Sequence, residues 1–307
     1  MNKLAICLLA LVLSANGDDL ISPIPLQAKV DARKAELGKR LFFETRLSKD
    51  DSISCASCHD LDSGGADSGE VSFGVDGKSG DMNSPTVFNA AYNIAQFWDG
   101  RAQDLKEQAK GPITNPVEMA SDEAQVVEKL SADAAYVKSF QEIYAGKITL
   151  DNVSDAIAEF EKTLITPNSK FDLFIKGENV EFAQDEKDGY SLFKNLGCVS
   201  CHNGINIGSN MFQKFGIFAD RNDSFNHLGR FNVTKNENDK YYFKVPTLRN
   251  IEKTAPYFHD GSAKTLQDAV RTMGLYQLGQ ELSREEIEKI TSFLRTLTGE
   301  SPKSISK

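Results

Sequence analysis

The chain has 307 residues, enough for two modest domains. Hydrophobic residues make up 40% and charged residues 26%, which is ordinary for a globular protein and excludes a low-complexity or fibrous chain. The formal net charge of −9 argues against a nucleic-acid partner and permits a basic redox partner.

At the start, Lys3 precedes an apolar run from Leu4 to Leu13 that is too short to span a bilayer. Ser14-Ala15-Asn16-Gly17 follows, so 1–17 reads as a signal peptide and the expected location is the periplasm. Cys7 lies inside this run behind the bulky Ile6, which speaks against a lipidated cysteine. No later apolar stretch approaches the ~20 residues of a membrane span, so none is expected.

The periodic segments are mainly helical. Asp31 to Phe43 sets Leu37, Leu41 and Phe42 along one side. Val153, Ile157, Phe160 and Leu164 form one helix face, and Thr166-Pro167 is expected to end that helix at a domain boundary. Ser283 and Glu286 make a capping box before Ile287, Ile290, Leu294 and Leu297, the stripe of a last helix. The stretches 60–83 and 203–241, rich in Gly, Asn, Asp and Ser, read as loops, and Tyr241 to Val245 is a short β-like fragment. The fold class is mainly α: two cytochrome-c-like helical domains, 18–167 and 168–307, with long loops.

Four cysteines remain after the leader. Cys55-Ala56-Ser57-Cys58-His59 and Cys198-Val199-Ser200-Cys201-His202 are two C-x-x-C-H motifs. The spacing serves covalent haem c. Two thiols add to the vinyl groups, and the next imidazole becomes the proximal iron ligand. A thioredoxin-like pair or half a zinc site would not explain a histidine following twice, and no βαβ pattern surrounds either motif.

Function then depends on the second axial ligand of each iron, because a saturated iron passes electrons and an open one binds peroxide. Only His227 and His259 remain as further histidines. The mature methionines are Met82, Met119, Met211 and Met273. Met273 follows the second motif, at the end of a helix starting near Lys264 with Gly274 after it, and spacing alone leaves it open between ligand and core packing.

The chain resembles the bacterial di-haem cytochrome c peroxidases over nearly all of its mature length. The matching blocks include Leu37-Gly38-Lys39-Arg40-Leu41-Phe42-Phe43, Gly64-Gly65-Ala66-Asp67, Asn83-Ser84-Pro85-Thr86-Val87-Phe88-Asn89 and Gln96-Phe97-Trp98-Asp99-Gly100-Arg101. Gln108-Ala109-Lys110-Gly111-Pro112-Ile113, Val117-Glu118-Met119, Cys201-His202-Asn203-Gly204, Ala255-Pro256-Tyr257-Phe258-His259 and Met273-Gly274 continue the series. The resemblance implies a low-potential peroxidatic first haem and a high-potential second haem with Met273 as sixth ligand. It makes Glu118 the distal acid/base, Gln108 a distal-pocket residue and Trp98 an aromatic between the haems. It gives Asn83, Thr254 and Pro256 to a calcium ion, and His259 to packing near the domain interface. Taken alone, Glu118 would read as a solvated residue before a helix, and Trp98 as a core aromatic. The implied reaction is reduction of hydrogen peroxide with electrons from a small cytochrome c or cupredoxin; members are often homodimers.

One position departs from the family. The loop after Gly64-Gly65-Ala66-Asp67 carries, in many members, a histidine that caps the first haem until reduction. Here Val75 stands at that place, and no histidine lies between His59 and His202. The expectation is a first haem open without reductive activation, with Met82 as the alternative cap. Two rival readings are a partner-oxidising relative of the methylamine-utilisation type, which lacks the Met ligand, and a closed di-haem electron carrier.

Overall fold

The computed structural model describes residues 20–219 and 227–305, so the expected signal peptide at 1–17 lies outside the described residues. In chain order its helices are α1 (Ala32–Phe42), α2 (Leu105–Thr114), α3 (Glu123–Ser131), α4 (Ala134–Tyr144) and α5 (Leu150–Glu161). They continue as α6 (Lys170–Ile175), α7 (Gln184–Asn195), α8 (Phe231–Thr234), α9 (Leu266–Leu278) and α10 (Arg284–Arg295). The only paired strands among the described residues are β1 (Phe212–Lys214) and β2 (Tyr242–Lys244), antiparallel with Gln213 opposite Phe243.

Each half is organised by one tight helix pair. Helix α1 starts where the Asp31 carboxylate accepts from the Arg33 and Lys34 amides. It ends with Lys39 and Arg40 near the carbonyl end of the helix dipole. Its apolar face packs on α5 so closely that a Cβ on Gly38 would lie 1.8 Å from the Ala156 carbonyl oxygen and 2.9 Å from Phe160 Cβ. Leu37, Leu41, Phe42, Ile157 and Phe160 fill this first core. The second half repeats the device with α7 on α10: a Cβ on Gly189 would lie 2.0 Å from the Lys289 carbonyl and 3.0 Å from Phe293 Cβ. The capping box of Ser283 and Glu286 starts α10, and Ile287, Ile290, Leu294 and Leu297 are buried.

The likeness of the halves extends through their loops. Thr86 Oγ1 donates to the Gly64 carbonyl at 2.6 Å and accepts from the Phe88 amide at 3.0 Å. Thr247 Oγ1 does the same with the Asn206 carbonyl at 2.7 Å and the Arg249 amide at 3.0 Å. Asn89 and Asn250 are both left-handed, and their amides donate to Leu164 and Leu297. Phe97 and Phe258 share a positive φ, and the Gln96–Ala102 and Tyr257–Ala263 bridges close the following turns. From the threonine turn to the second bridge, Thr86, Asn89, Phe97 and Ala102 recur as Thr247, Asn250, Phe258 and Ala263 at one constant sequence offset, which marks an internal duplication.

Three sequence expectations are corrected. Helix α5 stops at Glu161, before Thr166-Pro167, because Thr163 folds its amide and hydroxyl back onto the Phe160 carbonyl. Met273 lies inside α9 rather than at its end, since Gly279 at φ 64 supplies the left-handed stop. The stretch 203–241 is not all loop, because it contains β1 and α8.

The chain ends also cross between halves. Ile21 belongs to the second core, with the Leu20 carbonyl accepting from Gly204 at 2.6 Å and the Ser22 carbonyl accepting from buried Arg249 at 2.8 Å. Ile305 packs on the first core, where Lys39 Nζ donates to the Ser304 carbonyl at 2.7 Å.

Candidate active site

Both C-x-x-C-H motifs open on a 3-10 turn, Cys55–Ser57 and Cys198–Ser200. The turn brings the His59 and His202 amides back to the Cys55 and Cys198 carbonyls, each at 3.0 Å. None of the four cysteines is in a disulfide. His59 Nδ1 lies 3.2 Å from the Gly65 carbonyl and His202 Nδ1 lies 3.3 Å from the Ile207 carbonyl. A ring nitrogen bonded to a backbone carbonyl fixes the tautomer and leaves Nε2 for a metal. Burial holds both imidazoles below their ordinary pKa, His202 down to about 4, so both are neutral at pH 7. Free thiol pairs beside neutral, oriented imidazoles fit covalent haem.

The second motif faces a cavity whose walls include Cys198, Cys201, His202 and Met273. Met273 is thus brought to the same space as His202 from helix α9. The cavity reaches the first half through Asn83, Pro85 and Trp98. Trp98 Nε1 donates to the Asn83 carbonyl at 2.9 Å, and its ring meets His259 edge-on at 6.3 Å between centroids. His259 is buried and stacks on Phe243 at 4.2 Å. Asn83, Thr254 and Pro256 line the same cavity; Asn83 Nδ2 is taken up by the Gly69 carbonyl at 3.0 Å.

Glu118 is set by the turn that follows α2. Its amide donates to the Asn115 carbonyl at 3.0 Å, and Asn115 Nδ2 donates to Glu118 Oε1 at 2.6 Å. Burial raises its pKa above the ordinary carboxylate value, opposed by the Asn115 bond and the Arg101 charge. The Val75 amide donates to the Glu118 carbonyl at 2.8 Å. A Cβ on Gly74 would lie 2.3 Å from both the Val117 and Glu118 carbonyls, so only glycine lets this loop approach. Val75 is buried, whereas Met82 and Gln108 are half-buried. Gln108 sits on α2 one turn before Pro112.

Sequence reasoning missed several buried ionisable residues: Arg249 and Asp172 pair with each other at 2.6 Å, but Glu161 and Lys244 have no such ion pair among the described residues. Glu161, at the end of α5, is buried beside Cys55, with Oε2 lacking any hydrogen-bond partner, and burial pushes its pKa up to about 8. Its spacing of four from Ile157 already placed it on the buried stripe. Lys244, in β2, is likewise buried.

A family profile described as di-haem cytochrome c peroxidase matches residues 32–180, and a cytochrome c profile matches 186–298. The cytochrome c551 peroxidase of Nitrosomonas europaea is 50% identical over 95% of this chain and 87% of its own length. The cytochrome c peroxidase of Escherichia coli is 46% identical over 91% of this chain and 61% of its own length. Among solved structures, a MauG-like protein associated with microbial copper homeostasis aligns with a TM-score of 0.82 at 25% identity, covering 93% of this chain and 96% of that one. The chain belongs to the di-haem cytochrome c peroxidase family.

Proposed function

We propose that this protein reduces hydrogen peroxide to two waters, consuming two protons and two electrons delivered singly by a small cytochrome c or cupredoxin in the periplasm. Cys55, Cys58 and His59 would hold the haem that supplies the peroxide site. Cys198, Cys201, His202 and Met273 would hold a second haem, whose chemistry would be electron relay. When bound, haem iron supplies the peroxide-binding and redox chemistry.

The observation that carries this division of labour is the internal duplication. At its constant offset, the place of Met273 in the second half is held in the first by Pro112, which has no group to ligate iron. Val75 equally offers none. A haem held by His59 would then be left open in the oxidised protein, Met82 being the alternative cap, and one held by His202 would have Met273 at hand. Retention of Met273 separates the chain from the partner-oxidising type.

Around the open site Glu118 takes the proton from one peroxide oxygen and returns it to the other. Its burial shifts it toward the protonated form, and Asn115 fixes the carboxylate orientation. Gln108 orients peroxide. Trp98, in contact with Asn83 and His259, bridges the two sites. Asn83, Thr254 and Pro256 offer amide and carbonyl oxygens of the kind calcium selects, at the interface the cavity crosses.

The test is the spectrum of fully oxidised protein together with peroxide consumption from reduced cytochrome c. Mixed high-spin and low-spin signals with immediate turnover are expected; a purely low-spin oxidised spectrum overturns the open first haem, and no cyanide binding in any redox state overturns the peroxidase reading. Val75→His should restore a low-spin first haem and make turnover wait for prior reduction.

A further inference from the structure

Lys244 has no part in that scheme, yet its surroundings call for an explanation. It ends strand β2, is 6% exposed and lines the cavity shared with Cys198, Cys201, His202 and Met273. No carboxylate answers it among the described residues, and burial, unopposed by any charge, draws its pKa down to about 8. An ammonium buried without a counter-charge is costly, so such a residue points to an anion that arrives from outside the chain.

The duplication says where this lysine stands. At the constant offset Lys244 corresponds to Asn83, and His259 to Trp98. The backbone contacts are exchanged accordingly: the Asn83 amide donates to the His259 carbonyl at 2.9 Å, and the Lys244 amide donates to the Trp98 carbonyl at 2.8 Å. The two residues therefore occupy twin seats at the interface between the halves. One seat holds a side-chain amide; the other holds an amine. The lining they share is otherwise largely apolar, from Phe243, Val245, Leu248 and Leu294 among others. A haem is apolar except for its two propionates, which are the anions that could enter such a space.

We propose that the Lys244 ammonium is a binding residue for the second haem, paired with a propionate at the inter-domain side of the cavity, and that it raises that haem's reduction potential. This rests on a haem being seated by His202 in that cavity. Neutralising a propionate removes negative charge that would otherwise favour the ferric state, so the cation favours the reduced state.

The experiment is a spectroscopic redox titration of the full-length holoprotein and of its Lys244→Met, Lys244→Gln and Lys244→Arg variants. Met and Gln should lower the midpoint potential of the second haem, Arg should keep it near wild type, and the first haem should move less. An unchanged potential in both neutral variants overturns the assignment. A fall in Arg as large as in Met also overturns it, since packing rather than charge would then be responsible. If Met impairs folding, the Gln and Arg pair carries the same comparison. The pyridine haemochrome of wild type separates the two levels: fewer than two haems per chain overturns the cavity reading and the lysine's role with it, whereas two haems with unchanged potentials overturns the lysine's role alone.

Discussion

In the first half Trp98, Pro112 and Glu161 stand where the second half has His259, Met273 and Leu294. The first two pairs follow from the shared loop offset; the third follows from the helix pairs, in which Phe160 on Gly38 matches Phe293 on Gly189. Around them the backbone is kept, down to the threonine and asparagine hydrogen bonds after each motif. A duplicated scaffold thus holds two similar haem seats, and the side chains that differ decide what each seat does. At these places the first half has a proline and a buried acid beside Cys55; the second has a methionine facing the His202 cavity and a buried lysine.

The comparison is broken most severely at Glu118, which the turn after α2 supplies to the first half. Glu118→Gln is expected to cut peroxide turnover by about 10²–10⁴-fold, the usual worth of a positioned acid/base, with both haems still attached. In wild type kcat/KM should rise with pH through the Glu118 pKa, because the carboxylate must accept first. That rise should lie above the ordinary carboxylate range, since burial raises this group. The limb should vanish in the variant. Full activity in Glu118→Gln would remove Glu118 from the mechanism.

Next in size is Met273→Leu, which makes the second half resemble the first. Cyanide titration of the oxidised protein should find one further binding site per chain, and the second haem's potential should fall as its thioether ligand is lost. An unaltered cyanide stoichiometry would assign Met273 to packing.

The shared scaffold can be tested with the same change in each half. Gly38→Ala and Gly189→Ala each force a Cβ onto a helix carbonyl, at 1.8 and 2.0 Å, so both helix pairs must separate. Each should cost about 1–3 kcal/mol, read as a lowered Tm. Strongly unequal losses would show that the two pairs are not equivalent supports.

Much of this was legible in the residues. The C-x-x-C-H spacing gives the haem seats because attachment and ligation are local chemistry. The faces of α1, α5 and α10 follow from period, and the Ser283–Glu286 box marks a helix start that the structure keeps. What escaped depends on tertiary contact. Gly274 resembles a helix end, but it is a packing position: a Cβ there would lie 2.7 Å from Leu282 Cγ, so α9 runs on past it. Lys244 lies in the short β-like fragment, and its burial shows only in the fold, where its amide donates to the Trp98 carbonyl. The duplication hid because few letters repeat and the loops between motif and threonine turn differ in length.

The finest difference between the halves is Glu161 against Leu294, and it should appear in stability rather than turnover. Burial raises the Glu161 pKa from its ordinary 4.5 to about 8 in the folded state. The folded chain therefore holds this proton more tightly than the unfolded one. Its contribution to stability is complete below the unfolded value and is lost progressively as pH rises from there to about 8. Glu161→Gln keeps the shape of the neutral acid but cannot ionise. Its Tm should match wild type near pH 5 and exceed it by a few degrees near pH 9. Parallel Tm curves for the two proteins across that range would mean that the carboxyl is ionised, and paired, in the folded protein. The first half would then carry a fixed negative charge beside Cys55, opposite in sign to the lysine of the second.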